Sequence, residues 1–256
     1  MNIVVCIKAV SQQIDSPRIC DGGRGLAVDH KSWVMNESDE HALEQALRIK
    51  RNQPATITAL TVGPITSQEV LYRALAKGAD AAIRVDGDEF DPNITALKLA
   101  YALRKLTYDL ILTGVESFDG MASQVSLSTA AQLMIPFAYA VTKIAEVHPH
   151  SIVIDRELGG GRLQTLEIRM PTLLAVQPGN DPLSYPPAAK MMHARRRPLP
   201  CWTLADLGLE EADVASKRKM KWLTIEPRKS GATIQWFSGD ALNIADAIMS
   251  KIRDSL

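Results

Sequence analysis

The sequence predicts an α/β protein: a doubly wound, mostly parallel sheet with a core strand order of 3-2-1-4-5, additional β strands and an extended C-terminal arm. Three observations carry this. Short β-branched runs alternate with segments of helical period up to Pro136. Beyond Pro136 the helical period is replaced by strand-like runs joined by turns. From Pro178 the prolines at 178, 182, 186, 187, 198 and 200 punctuate a stretch too rich in proline for a central strand or helix.

The elements follow in order. Asn2–Ile7 is an apolar run of the kind buried on both faces of a sheet. A polar connection leads to about Val34, and Asn36-Glu-Ser38 caps a helix carrying Ala42, Leu43, Ala46, Leu47 and Ile49. Thr56–Val62 is the second strand, closed by Gly63-Pro64, and Ser67 introduces a helix that ends near Gly78. Ala81–Val85 is the third strand, Asp91-Pro92 starts the next helix, and Asp109–Thr113 is the fourth strand. A helix from about Met121 to Met134 follows. Phe137–Val147, Ile152–Leu158, Gln164–Ile168 and Thr172–Val176 then read as strands, with a turn at Gly159-Gly-Gly161. In the arm, Thr203–Leu207 is one helical turn, Trp222 and Trp236 flank a strand-like piece, and Ser238-Gly-Asp240 introduces a last amphipathic helix.

Composition narrows the function. The 256 residues carry 29 basic and 29 acidic side chains and only 5% aromatics, which argues against nucleic acid as a partner. The three cysteines are far apart, with no CxxC and no zinc spacing. The five histidines fall in loops or on a helix surface without a paired nucleophile. The N-terminal run reads as a first strand rather than a signal peptide, and no apolar run approaches the roughly 18 residues of a membrane helix. The expected setting is the cytoplasm.

In open parallel sheets ligands sit beyond the carboxyl ends of the strands, where the winding reverses. In a 3-2-1-4-5 order the first and fourth strands are neighbours at that point. Candidate contacts are therefore Cys6; the helix-opening run Asn36, Glu37, Ser38 and Asp39; Val62; and the strand-turn-helix stretch Gly114, Val115, Asp119, Gly120, Met121, Ala122, Ser123, Gln124 and Val125. Gly114 would let the backbone approach a ligand. Asp119 would bind a ribose hydroxyl or cap the helix. Ser123 and Gln124 would lie in the first helical turn, near a phosphate. Neither a GxGxxG after the first strand nor a GxxxxGK[ST] loop occurs, and no catalytic constellation stands out.

These residues resemble the β subunit of electron-transfer flavoproteins, the type that includes FixA. The resemblance rests on Ile3-Val-Val-Cys6-Ile-Lys8, on Met35-Asn36-Glu-x-x-Glu40-x-Ala42-Leu-Glu44-x-Ala46, on Asp109-Leu-Ile-Leu-x-Gly114 with Asp119 and Gln124, and on Ile154-Asp-Arg156 through Gly159-Gly-Gly, Gln164-Thr165-Leu and Pro171. It implies a heterodimeric electron carrier rather than an enzyme. This subunit would hold AMP or a second FAD at the positions just named, and an α subunit would hold most of the redox FAD. Electrons would pass from a flavin dehydrogenase or reductase, and a membrane quinone reductase would be met only through partners. Residues 1–177 would be the nucleotide-binding domain, and 178–256 a partner-binding arm with a C-terminal helix. Ser11-Gln12 and Gly120-Met-Ala depart from the family pattern and point to a specialised paralogue. The alternative class is a stand-alone adenine-nucleotide sensor of the universal-stress-protein type, which would end after the sheet.

Overall fold

The computed structural model describes residues 1–11, 18–19, 26–27, 33–87, 90–179, 182–221, 223–224 and 234–254. Its first strands are β1 (Asn2–Cys6), β2 (Ala9–Ser11), β3 (Arg18–Ile19), β4 (Leu26–Ala27) and β5 (Trp33–Met35). The alternation that follows is α1 (Glu37–Asn52), β6 (Thr56–Gly63), α2 (Gln68–Lys77), β7 (Ala81–Asp86), α3 (Pro92–Leu103), β8 (Leu110–Gly114) and α4 (Val125–Leu133). Next come β9 (Phe137–Val147), β10 (Ser151–Glu157), β11 (Leu163–Arg169) and β12 (Thr172–Val176). The remainder holds α5 (Ala188–Ala194), β13 (Cys201–Trp202), α6 (Leu204–Leu207), α7 (Glu211–Lys217) and α8 (Ala241–Arg253).

One sheet runs in the order β11-β10-β9-β12-β8-β1-β6-β7-β13. From β9 to β13 every pairing is parallel, while β10 is antiparallel to both β9 and β11. The core order 3-2-1-4 is as expected, but the fifth place belongs to Thr172–Val176. That strand enters in parallel between β8 and β9, and it is fully buried along its length, as a strand covered on both faces must be.

The sheet separates two apolar layers. Ile3, Val5, Leu110 and Leu112 face α1 and α2 and meet Leu43 and Leu71. Val4, Cys6, Leu60 and Ile111 face the opposite way and meet Leu97 and Leu103 of α3. Successive side chains of β1 thus serve different layers, which is why its sequence is apolar throughout instead of alternating.

Several local expectations change. α4 begins at Val125, not near Met121. Met121 and Ser123 both hold left-handed backbone, with φ of 43° and 52°, and a chain in that conformation cannot continue a right-handed helix. His41 is buried rather than on a helix surface, and His30 lies outside the described residues. Most of the strand-like piece between Trp222 and Trp236 also lies outside them. The proline-rich arm is not extended throughout. Pro187 precedes the short helix α5, which packs on α2, and β13 adds itself to the edge of β7. The turn at 159–161 is as expected: all three glycines have positive φ, which non-glycine residues adopt only with strain.

Farther on, the arm is held by Asp91. This residue is fully buried. Its Oδ1 accepts the Asn93 N–H at 2.9 Å and so caps α3. Its Oδ2 accepts the N–H groups of Lys219 at 2.6 Å and Met220 at 2.8 Å. Burial opposes the charge, but these amides more than offset it and hold the carboxyl below its usual range. Asp91→Ala is expected to cost about 2–3 kcal/mol, by losing the cap and orphaning buried donors. Urea unfolding would measure it. Because the folded pKa is depressed, this contribution is present above the ordinary carboxylate range and disappears as pH falls through the folded value.

Candidate functional site

The winding reverses between β1 and β8. After β1 the chain adds β6 and β7 on one side, then crosses back to lay β8 on the other. The crevice beyond the carboxyl ends of these two strands is therefore the ligand position that the topology defines.

Three segments converge there. The pairing of β2 with β5 places Met35 opposite Ala9, so the start of α1 returns to the end of β1. The Asn36 N–H donates to the Lys8 carbonyl at 3.0 Å. Two residues into α1, Asp39 joins the strand ends. Its Oδ2 accepts the Lys8 N–H at 2.8 Å, and its Oδ1 accepts the Gly114 N–H at 2.7 Å. One buried carboxylate thus clamps the termini of two neighbouring parallel strands. Burial pushes the Asp39 carboxyl up to about 6, and the two amides only partly counter that rise.

Gly114 is part of the same joint. A Cβ built on it would lie 2.5 Å from Asp39 Oδ1, 2.6 Å from Ser38 Cβ and 2.9 Å from the Asp39 main-chain nitrogen. The glycine is thus required by the approach of α1; the space in front of its Cα is filled by protein.

Asn36 is the cap position of α1 but makes no side-chain cap bond. Its side chain instead fixes the loop after β8: Nδ2 donates to the Glu116 carbonyl at 2.8 Å, and Oδ1 accepts the Phe118 N–H at 3.0 Å. The expectation that Asn36 caps the helix with its side chain gives way to this longer-range role. Asp119 caps nothing either; it is 2.6 Å from Lys8 Nζ, which also donates to Ser117 Oγ at 3.2 Å. Ser123 Oγ donates to Glu116 Oε2 at 2.9 Å. Ser123 and Gln124 precede α4 instead of sitting in its first turn, with Gln124 at the cap position.

The remaining candidates sort by burial. Glu37, Gly120, Met121 and Ala122 are exposed, while Val62 and Val125 are half-buried against the α3 layer. Val115 is buried and donates its N–H to the Val176 carbonyl at 3.0 Å. The Cys6 side chain lies in the apolar α3 layer. Burial, with the Asp39 charge second, pushes its thiol far above the ordinary range, so it is an apolar spacer rather than a reactive group. Two hydroxyls just outside the stretch read from sequence are notable: Thr113 Oγ1 on β8 and Ser126 Oγ on α4 are buried without a hydrogen-bond partner.

Taken together, the fold and the crevice define a doubly wound α/β protein with a polar, clamped opening at the switch point of its sheet. The chain belongs to the electron transfer flavoprotein family: the electron transfer flavoprotein domain matches residues 25–207. It is similar to the electron transfer flavoprotein subunit beta of Bacillus subtilis (strain 168), at 31% identity over 99% of this chain and 98% of that one. It is equally similar to the subunit of the same name from Methylophilus methylotrophus, at 31% identity over 86% of each chain. Protein FixA of Azotobacter vinelandii is 29% identical over 98% of this chain and 94% of its own length. The chain is therefore of the β-subunit type, and the stand-alone sensor class is set aside. Among the described residues, no helix is long and apolar enough to cross a membrane.

Proposed function

We propose that this chain is the nucleotide-holding subunit of a two-chain electron carrier. In this reading it binds AMP, or a second FAD, in the crevice between β1 and β8, and an α subunit carries most of the redox FAD. Electrons arrive from a flavin dehydrogenase or reductase. The chain itself turns over no substrate.

The observation that carries the reading is the Asp39 clamp, which fixes the ends of β1 and β8 and leaves the rim of Lys8, Ser117 and Asp119 above them. Charge favours one helix for the phosphate. The first turn of α1 holds Glu37, Asp39 and Glu40, so its positive end is already countered. The first turn of α4 holds no acid, and its leading N–H groups have no side-chain cap, so that terminus suits an anion. The orphaned hydroxyls of Thr113 and Ser126 fit a polar ligand there, because buried hydroxyls ordinarily find a partner. AMP or FAD would supply an adenine, a ribose and phosphate; the residues of this chain bind and orient them.

The test is to co-express the chain with its α partner and assay flavin and adenine nucleotide per heterodimer. One FAD and one AMP, or two FADs, is the expected outcome. A stable, colourless single chain without nucleotide would overturn the reading.

A further inference from the structure

Helices α1 and α2 are bridged by charges taken out of water. The Lys77 side chain is 0% exposed, and its Nζ lies 2.8 Å from both Glu40 Oε1 and Glu44 Oε1. Glu40 also receives Arg73 Nη2 at 3.0 Å. The glutamates are 9% and 8% exposed and Arg73 28%, so this is a neutral cluster of two acids and two bases in which Lys77 and both acids are buried and Arg73 reaches the surface. Such clusters are poor sources of net stability, since desolvation consumes most of the attraction. Their characteristic gain is specificity: a buried charge accepts only a partner that satisfies it.

The additional partner here is the arm. Ser184 donates its N–H to Glu44 Oε1 at 3.0 Å, and its hydroxyl donates to the same oxygen. The next residue, Tyr185, presents its ring to the Arg73 guanidinium, 5.8 Å from the centroid. Two consecutive residues of the arm are thereby keyed to the two ends of the buried cluster. Both are themselves exposed, so apolar burial does not explain the position of these two residues, whereas α5 beyond them buries Ala194 in the core. Burial opposes the Glu44 charge, but Lys77 and Ser184 outweigh it and hold the carboxyl below its usual range. Beyond this point the arm continues into α5. Arg195 pairs with Glu69, and Arg197 donates to the Asp80 carbonyl at 2.7 Å.

We propose that Glu44 is a positioning residue: through Ser184 it latches the arm onto α1 and α2, and so sets where α5 and its basic end stand. Glu44 lies far from the Asp39 clamp in role, since it touches neither β1 nor β8 in any bond described above. Its loss should free the arm and leave the crevice intact. The further step, that a correctly placed arm helps the redox partner dock, rests on the reading under Proposed function.

Two variants separate the latch from general damage. Glu44→Gln removes the charge. Ser184→Pro removes both donors and leaves all four charges of the cluster in place. In the heterodimer, both are expected to speed amide exchange over residues 186–196 by about tenfold or more, with exchange in β1, β6 and β8 and the bound nucleotide unchanged. Unchanged exchange in Ser184→Pro overturns the latch, as does faster exchange spread evenly over the sheet. With a reducing dehydrogenase as donor, the same variants are expected to raise KM several-fold at constant kcat. A fall in kcat at constant KM would overturn the docking step alone, because the exchange measurement needs no redox donor.

Discussion

Gly114→Val is expected to destabilise the chain by about 2–3 kcal/mol and, on the proposed reading of the crevice, to lower the nucleotide content of the heterodimer. The side chain would meet Asp39 Oδ1, Ser38 Cβ and the Asp39 nitrogen, all within 3 Å. Ser38 and Asp39 are buried in the first turn of a long helix, so neither can swing aside as an exposed side chain would. Relief requires α1 to move off the sheet, and overpacking of this kind costs about 1–3 kcal/mol before any hydrogen bond is lost. Here the Gly114 N–H bond to Asp39 is lost as well, which adds to that figure. Gly114→Ala brings in the same Cβ and is expected to lie between the parent and the valine variant. Thermal unfolding of the two variants, with nucleotide content measured in parallel, checks both parts. A valine variant that unfolds with the parent would show that the approach of α1 is not a constraint.

Asp39→Asn is expected to cost about 2 kcal/mol at neutral pH. The amide has one oxygen where the carboxylate has two, so either the Lys8 or the Gly114 N–H is left without its acceptor. The pH course is more diagnostic. The folded pKa, about 6, lies above the ordinary 3.8, so the native state holds this proton more tightly than the unfolded chain does. The resulting contribution is fully present below about pH 3.8 and is lost as pH rises through about 6. Over that window it amounts to about 3 kcal/mol. The asparagine side chain does not titrate. The parent should therefore gain on the variant as pH falls from 7 toward 4. Glu44, Asp80 and Asp91, with depressed values, act in the opposite sense, but they are common to both chains and cancel in the difference. Urea midpoints for the pair at several pH values supply the measurement; a gap that stays constant would mean that Asp39 is not shifted.

The core of the sheet was legible because a strand covered on both faces has no polar side to confuse with anything else. Asn2–Cys6 and Leu110–Gly114 announce themselves by continuous apolar sequence, and Asp91-Pro92 and Asp240 mark helix starts that the structure bears out. The start of α4 was not legible. Met121 and Ser123 are left-handed without being glycine or asparagine, so composition carries no sign of the turn. Nor was the place of β12, because parallel neighbours need not be consecutive in the chain. At the site, the positions of Asn36, Asp39 and Gly114 could be read, but not their bonds. Asp39 resembles any acid in a first helical turn until the fold brings Lys8 and Gly114 against it. Asp91 and Glu44 carry a similar second use: their arm partners are 128 and 140 residues away, beyond the reach of local pattern.

A chain still emerging from the ribosome and complete only to Arg169 has β8 with β1 on one side and an open row of main-chain donors and acceptors on the other. β12 supplies the missing neighbour and at the same time gives β9 its link to the rest of the sheet. The strand that carries Gly114 is thus an edge during synthesis and an interior strand only afterwards. Pairing of this long range is slow, and an unpaired edge attracts other chains. Production of this protein should therefore depend on what shields β8 until residues 172–176 arrive, and truncation just before Thr172 should yield aggregate rather than a smaller folded unit.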